Sequence, residues 1–344
     1  MWGVEFDDGA SFVYSVFGIQ YPGVELTEPQ LSLAESFHKL IDSHAAYIDR
    51  ITQDGPEGHS TTIWLAYWAT QDAYNDWWTS APTVEFWNSL SPNAGMWREV
   101  MVVPGRRTQF GTNETTINGM ASVAKLVPNP DKSGYWGCYR DRIIEATAEE
   151  RLKTPLETFP TKKEVPGSGI RLGRTKVVGF PDNICFVVEG QDHSLITQKE
   201  KSHWFEKFDG LVTTWMGDLV NAGPSAGILD AKVCYSKASG EYRSAEPAAL
   251  NFNRKVQLFY FLDLRCMEKI GRANKGHAKL RESFMESYCP VGPMGSEGKL
   301  TLWVETSVLK SNEMEAEYVG CVESTGFMAY VGSGPFQCLN DSGA

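Results

Sequence analysis

Thr61-Thr62-Ile63-Trp64-Leu65-Ala66-Tyr67-Trp68 runs directly into Ala69-Thr70-Gln71-Asp72-Ala73-Tyr74-Asn75-Asp76-Trp77-Trp78, and this sequence of a Trp-bearing apolar run and a short polar helical piece decides the fold. The stretch LTLWVETSVLKSNEMEAEYV, residues 300–319, repeats it, with Trp303 in the apolar run and an acidic helical piece expected over 311–316. Short runs rich in β-branched and aromatic residues read as buried strands. Working outward, further strands are expected at 11–21, 101–104, 184–189, 227–235, 255–262 and 318–322. Spacing of three and four predicts helices over 31–51, 72–78 and 197–220, and a broken one over 265–288. In the third of these, Trp204, Phe208, Leu211, Trp215 and Leu219 form one apolar stripe. Segments 105–133 and 151–169 are turn-rich or Pro/Lys/Glu-rich and read as loops. The strand–helix order is of the split βαβ kind and occurs twice. The expected class is therefore α+β: duplicated ferredoxin-like units, antiparallel sheets packed face to face, helices outside.

With 344 residues the chain could form one large domain or two smaller ones, and 42% hydrophobic residues with 11 Trp supply a substantial core. A net charge of -11 argues against a nucleic-acid or anionic-membrane partner. No apolar run reaches membrane-span length, and residues 1–10 are acidic without a signal-peptide core, so the expected location is cytoplasmic. Seven cysteines stand singly, with no CxxC and no zinc spacing, as expected of reduced thiols. His38 and His44 are six apart, off the spacing that lets two side chains share a metal on one helix face. Phosphate-binding and nucleophile-elbow motifs are absent: there is no GxxxxGK[ST], no GxGxxG after a strand and no GxSxG.

The stretch with chemical promise is Asn274-Lys275-Gly276-His277-Ala278-Lys279-Leu280. His277 opens an apolar stripe continued by Leu280, Phe284 and Tyr288, and it sits in a first helical turn, where the dipole disfavours imidazolium. A neutral imidazole facing an apolar pocket suits a metal or haem iron. A histidine at a helix start is more often simply packed or solvated, and from this stretch alone that remains the commoner role.

Seven collinear stretches go further: VFGIQY (16–21), SGYWGCYRDR (133–142), FPDNICFVVEGQD (180–192), FDGLVTTW (208–215), GHAKLRESFMESY (276–288), TLWVETSVL (301–309) and EAEYVGCVESTGF (315–327). Together they resemble the haem-dependent aldoxime dehydratases, the phenylacetaldoxime dehydratase family, most closely its fungal members. The resemblance implies a dimeric-α/β-barrel-like haem protein that binds haem b, active in the ferrous form, with His277 as axial iron ligand. It implies a lyase converting aldoximes, R–CH=N–OH, to nitriles, and a homodimer. The oxime nitrogen would meet the iron, a distal acid would protonate the departing hydroxyl, and a base would take the carbon-bound proton. Acid help of this kind is worth roughly 10²–10⁴-fold. One haem-binding domain over 1–330 is expected, its halves formed by about 11–145 with 255–330 and by 170–255, followed by a flexible tail, 331–344.

Departures from the bacterial pattern fall on the chemistry. Bacterial members carry Arg where this chain has Val188, a distal His where it has Val304, and a distal Ser near Asp230. If Val188 and Val304 face the haem as pocket residues, strand alternation turns Glu189 and Glu305 away. Asp230 is then the leading candidate for distal acid, on the argument that burial over the haem raises its pKa. Asp192 and His193 are weaker candidates, better read as a solvated loop. Arg140 and Arg142 could serve haem propionates or pair with Asp141 or Glu145. Two other readings stay open: a related haem enzyme acting on another N–O or N–N substrate, and a non-catalytic haem-binding protein.

Overall fold

The computed structural model describes residues 1–344 except 56–57, 129–138, 164–168 and 341–344. The strands are β1 (Trp2–Glu5), β2 (Ser11–Pro22), β3 (Tyr47–Asp54), β4 (His59–Trp68), β5 (Met96–Pro104), β6 (Thr108–Thr112), β7 (Lys125–Pro128), β8 (Ile170–Val177), β9 (Ile184–Asp192), β10 (Ile228–Tyr235), β11 (Arg254–Phe261), β12 (Thr301–Leu309), β13 (Met314–Val322) and β14 (Cys338–Asn340). The helices are α1 (Glu28–Ile41), α2 (Gln71–Trp78), α3 (Ala81–Asn88), α4 (Tyr139–Arg142), α5 (Gln198–Lys207), α6 (Asp209–Ala222), α7 (Leu264–Ala273) and α8 (Lys275–Tyr288).

Within one continuous sheet two blocks share the same order, β3-β4-β2-β5 and β10-β11-β9-β12. Each block is a strand, a helical layer, two paired strands, a second helical layer and a closing strand: the split βαβ unit, present twice. The units are joined edge to edge where Cys234 and Tyr235 of β10 meet Gln53 and Thr52 of β3. Their inner faces pack on each other, as Tyr14 of the first and Phe186 of the second show with ring centroids 5.1 Å apart. Outside, α1–α3 cover the first unit through Phe37, Trp77 and Trp87. Helices α5–α8 cover the second through Trp204, Trp215, Met267 and Phe284.

The registers of the two units coincide. Gly18, Phe17 and Val16 of β2 lie opposite Trp97, Arg98 and Glu99 of β5. Gly190, Glu189 and Val188 of β9 lie opposite Trp303, Val304 and Glu305 of β12. The glycine is required at both places: a Cβ would come within 2.2 Å of the Trp97 ring at Gly18 and 1.9 Å of the Trp303 ring at Gly190. The glutamates reach across the core. Glu305 accepts hydrogen bonds from the hydroxyls of Tyr14 (2.7 Å) and Tyr67 (3.1 Å) and from the Met120 N–H (3.0 Å). Glu99 accepts from Tyr318 (2.8 Å).

Several expectations need correction. The duplicated units are contiguous, bounded by β2 to β5 and by β9 to β12, rather than 11–145 with 255–330 and 170–255. The two stretches that suggested the repeat are not equivalent strands: β4 is the third strand of its unit, β12 the fourth. The expected helix over 31–51 ends at Ile41, and Tyr47–Asp54 is a strand, as its Ile and Thr residues favour. The helix over 197–220 divides at Phe208 into α5 and α6. The acidic piece after β12 is a 3₁₀ turn, Ser311–Glu313, and its alternating continuation is β13. The segment 105–133 contains β6 and β7, which extend the second sheet. The tail is not loose through residue 340: Phe336 is fully buried and β14 pairs with β8. Residues 133–138 of the SGYWGCYRDR stretch lie outside the described residues.

Candidate haem site

Asn274 ends α7 and starts α8, and its side-chain oxygen accepts the His277 N–H at 2.8 Å. That cap fixes the first turn of α8 and aims the histidine back over the preceding helix. The His277 ring lies 4.3 Å from the Trp215 ring at 19°, a stacked pair. Its Nδ1 is 2.9 Å from the Gly271 carbonyl oxygen. A carbonyl only accepts, so Nδ1 carries the proton and Nε2 keeps its lone pair. Burial, and to a lesser degree Arg281, hold the pKa of His277 below its ordinary value, outweighing the hydrogen bond to Gly271. The ring is thus neutral, oriented and of the right tautomer, as an Nε2 ligand must be.

His277 belongs to the helical wall of two adjoining cavities of about 590 and 680 Å³, which share Tyr139, Glu189, Trp215 and His277. Helices α6, α7 and α8 contribute Val212, Met216, Leu219, Met267, Ile270, Leu280 and Phe284. The facing wall is the outer surface of the second sheet: Val187 and Glu189 of β9, Phe259 and Phe261 of β11, Leu302 and Val304 of β12. The lining, apolar side chains with a few polar groups and one imidazole, is of the kind that holds a cofactor. Arg272 and Arg281 stand on the same lining and suit the carboxylates of a haem. The residues present therefore fit a haem: one imidazole with a free lone pair, an apolar slot, and two guanidiniums.

The sequence-expected residues separate. His277 and Val304 line this slot, and Glu305 faces away into the core, as alternation required. Val188 does not line it. It is fully buried on the inner face with Leu258, while its neighbour Glu189 points into the slot, the reverse of the expected parity. Asp230 is also on the inner side, ion-paired with Lys232, whose Nζ donates to it. Burial pushes the Asp230 carboxyl up, but Lys232 and Lys162 outweigh it, and its pKa lies below the ordinary value. Asp230 is thus an ionised partner of a buried lysine and not a distal acid in this slot.

Asp192 accepts from Arg254 at 3.2 Å. His193 is buried rather than solvated, stacked on Tyr242 at 4.2 Å. Arg140 grips Glu268 with two hydrogen bonds of 3.0 and 3.2 Å, and Arg142 donates to Gln109 at 3.1 Å. Glu189, Trp215, Arg272 and Arg281 were missed. For Glu189 the signal is tertiary: Gly190 sits under the Trp303 ring on the inner face, which turns residue 189 outward.

Glu189 is the single ionisable side chain that the strands present to the slot, and burial pushes its carboxyl pKa up to about 7. Among the described residues no hydrogen bond or ion pair engages it.

The chain is a duplicated ferredoxin-like α+β protein in which a histidine-bearing helix faces an apolar slot. The match of residues 15–327 to the haem-containing dehydratase family shows that this chain belongs to that family. It is 24% identical over 339 residues to phenylacetaldoxime dehydratase of Bacillus sp. (strain OxB-1), covering 96% of this chain and 91% of the relative. Its fold matches an aldoxime dehydratase crystallised with butyraldoxime, with a TM-score of 0.76 and 19% identity over 95% of this chain and 88% of the other. A second aldoxime dehydratase structure matches equally, with a TM-score of 0.76 over 95% and 90% of the two chains. Among the described residues no helix is long and apolar enough to cross a membrane.

Proposed function

We propose that this chain dehydrates aldoximes to nitriles with haem b bound in the slot between α6–α8 and the second sheet, and that His277 is the axial ligand. The observation that carries the reading is the His277 ring itself: Nδ1–H is spent on the Gly271 carbonyl, Trp215 holds the ring plane, and Nε2 remains to coordinate. A bound ferrous haem supplies an iron centre that can take the oxime nitrogen. The chain supplies the rest. Arg272 and Arg281 would hold the propionates, and Val304, Leu302, Phe208 and Phe284 form an apolar chamber for an alkyl or arylalkyl group. The proton leaving carbon and the proton needed at oxygen then call for a protein acid and base on that lining.

The test is anaerobic. Haem-loaded protein reduced with dithionite should convert phenylacetaldoxime to phenylacetonitrile. His277→Ala should lose the Soret band and turnover together, whereas a full Soret band in that variant removes His277 as ligand. Absence of nitrile across a panel of alkyl and aryl aldoximes defeats the assignment.

A further inference from the structure

We propose that Glu189 is the side chain that gives a proton to the departing oxygen and then takes the proton from carbon. The inference rests on the dehydratase reading above and adds the residue that does the work. His277 comes from the helical wall, and among the described residues the facing sheet wall offers one acid, Glu189. The other carboxylate on the lining, Glu268, is locked by Arg140.

Glu189 is paired in register with Val304 on one side and Gln257 on the other, neither of which carries charge. The ionisable groups facing the slot from the helices are Tyr139, Glu268, Arg272, His277 and Arg281. Burial of this unpaired acid raises its pKa to about 7, so a protonated fraction is present near neutral pH. Such a group can donate before it accepts.

The step balances without an outside reagent. Glu189 O–H transfers its proton to the oxime oxygen, the N–O bond breaks with its electron pair leaving on oxygen, and water departs. The carboxylate so formed removes the proton on carbon, and the C–H pair becomes the third carbon–nitrogen bond. Glu189 ends protonated as it began, and no net redox change occurs.

The experiment compares haem-loaded wild type, Glu189→Gln and Glu189→Asp. The Glu189→Gln protein should keep haem stoichiometry and the aldoxime-induced spectral shift, with kcat down roughly 10²–10⁴-fold, and Glu189→Asp should recover part of it. Infrared difference spectra on carbon monoxide photolysis should show a protonated-carboxyl band at neutral pH that Glu189→Gln removes and Glu189→Asp shifts. Unchanged kcat in haem-replete Glu189→Gln overturns this inference and leaves the dehydratase reading standing. Absence of nitrile from haem-replete wild type overturns both. If Glu189→Gln fails to take up haem, the infrared comparison of wild type with Glu189→Asp decides, and no carboxyl band, or one that does not shift, counts against Glu189.

Discussion

The two ferredoxin-like units present the same rung of backbone to the same kind of helical layer, and one face is filled while the other is hollow. In the first unit the rung is Trp64–Phe17–Arg98. Phe17 packs 4.8 Å from Phe37 and 5.7 Å from Trp77, and Arg98 lies 4.1 Å over Trp78 while paired with Glu315 and Glu317. In the second unit the equivalent rung is Gln257–Glu189–Val304, and the space above it is the slot facing His277. The pocket arises by subtraction: bulk is removed from three positions on a duplicated scaffold, and one capped helix start places His277 opposite. Where the first unit is packed with aromatic rings, the second leaves a cleft lined by Glu189, Val304 and His277.

Filling the hollow is the strongest way to break the comparison. Glu189→Phe installs the residue found at the first unit's position, and overpacking of about 1–3 kcal/mol should lower haem affinity ten- to hundredfold. Soret absorbance per protein at limiting haem reads the effect; full occupancy contradicts the equivalence. Hollowing the filled face is the converse. Arg98→Val strands Glu315 and leaves Glu317 with Arg174 alone, which should cost about 3–5 kcal/mol, read as a lower urea midpoint with haem uptake retained.

The paired glycines sharpen the point. Gly18→Ala and Gly190→Ala should each cost about 1–3 kcal/mol by forcing a Trp ring aside. Only Gly190→Ala should also weaken haem binding, because a displaced Trp303 ring would shift its strand neighbours Glu189 and Val304, which face the slot. Equal effects of both on haem would mean that the slot does not depend on this rung.

The smallest effect is in pH. Burial raises Glu305 as well as Glu189 to about 7, so the folded chain holds protons that the unfolded chain has released above about 4.5. Fewer protons on the unfolded state means stability falls as pH rises between those values and levels off above about 7. Glu305→Gln, which stays neutral, should flatten part of that slope in urea titrations at pH 5, 6 and 7. For activity, kcat/KM should fall as pH climbs through about 7, because the donor at 189 must be protonated.

Much of this was legible beforehand. Most strands, the broken helix before Tyr288 and the place of His277 in a first helical turn follow from local spacing and propensity. The family resemblance correctly singled out a haem and aldehyde-oxime chemistry class before any geometry, and the family match agrees. The strands not expected are the short β1, β6, β7 and β14, the half-exposed β8, and β3, hidden behind a polar helix end. The site was read with the wrong parity at Val188, and Asp230 was credited with a role that Lys232 rules out.

What the sequence determined by itself was the set of elements, the duplicated unit and one histidine placed at a helix start. Which face of β9 looks at that histidine was decided only by the tertiary structure. Residues 184–188 are apolar at every position, because the strand is buried on both sides, so no alternation marks inside from outside. The direction of Glu189 is settled by a glycine meeting a tryptophan on the neighbouring strand, and that contact exists only once β9 and β12 are paired.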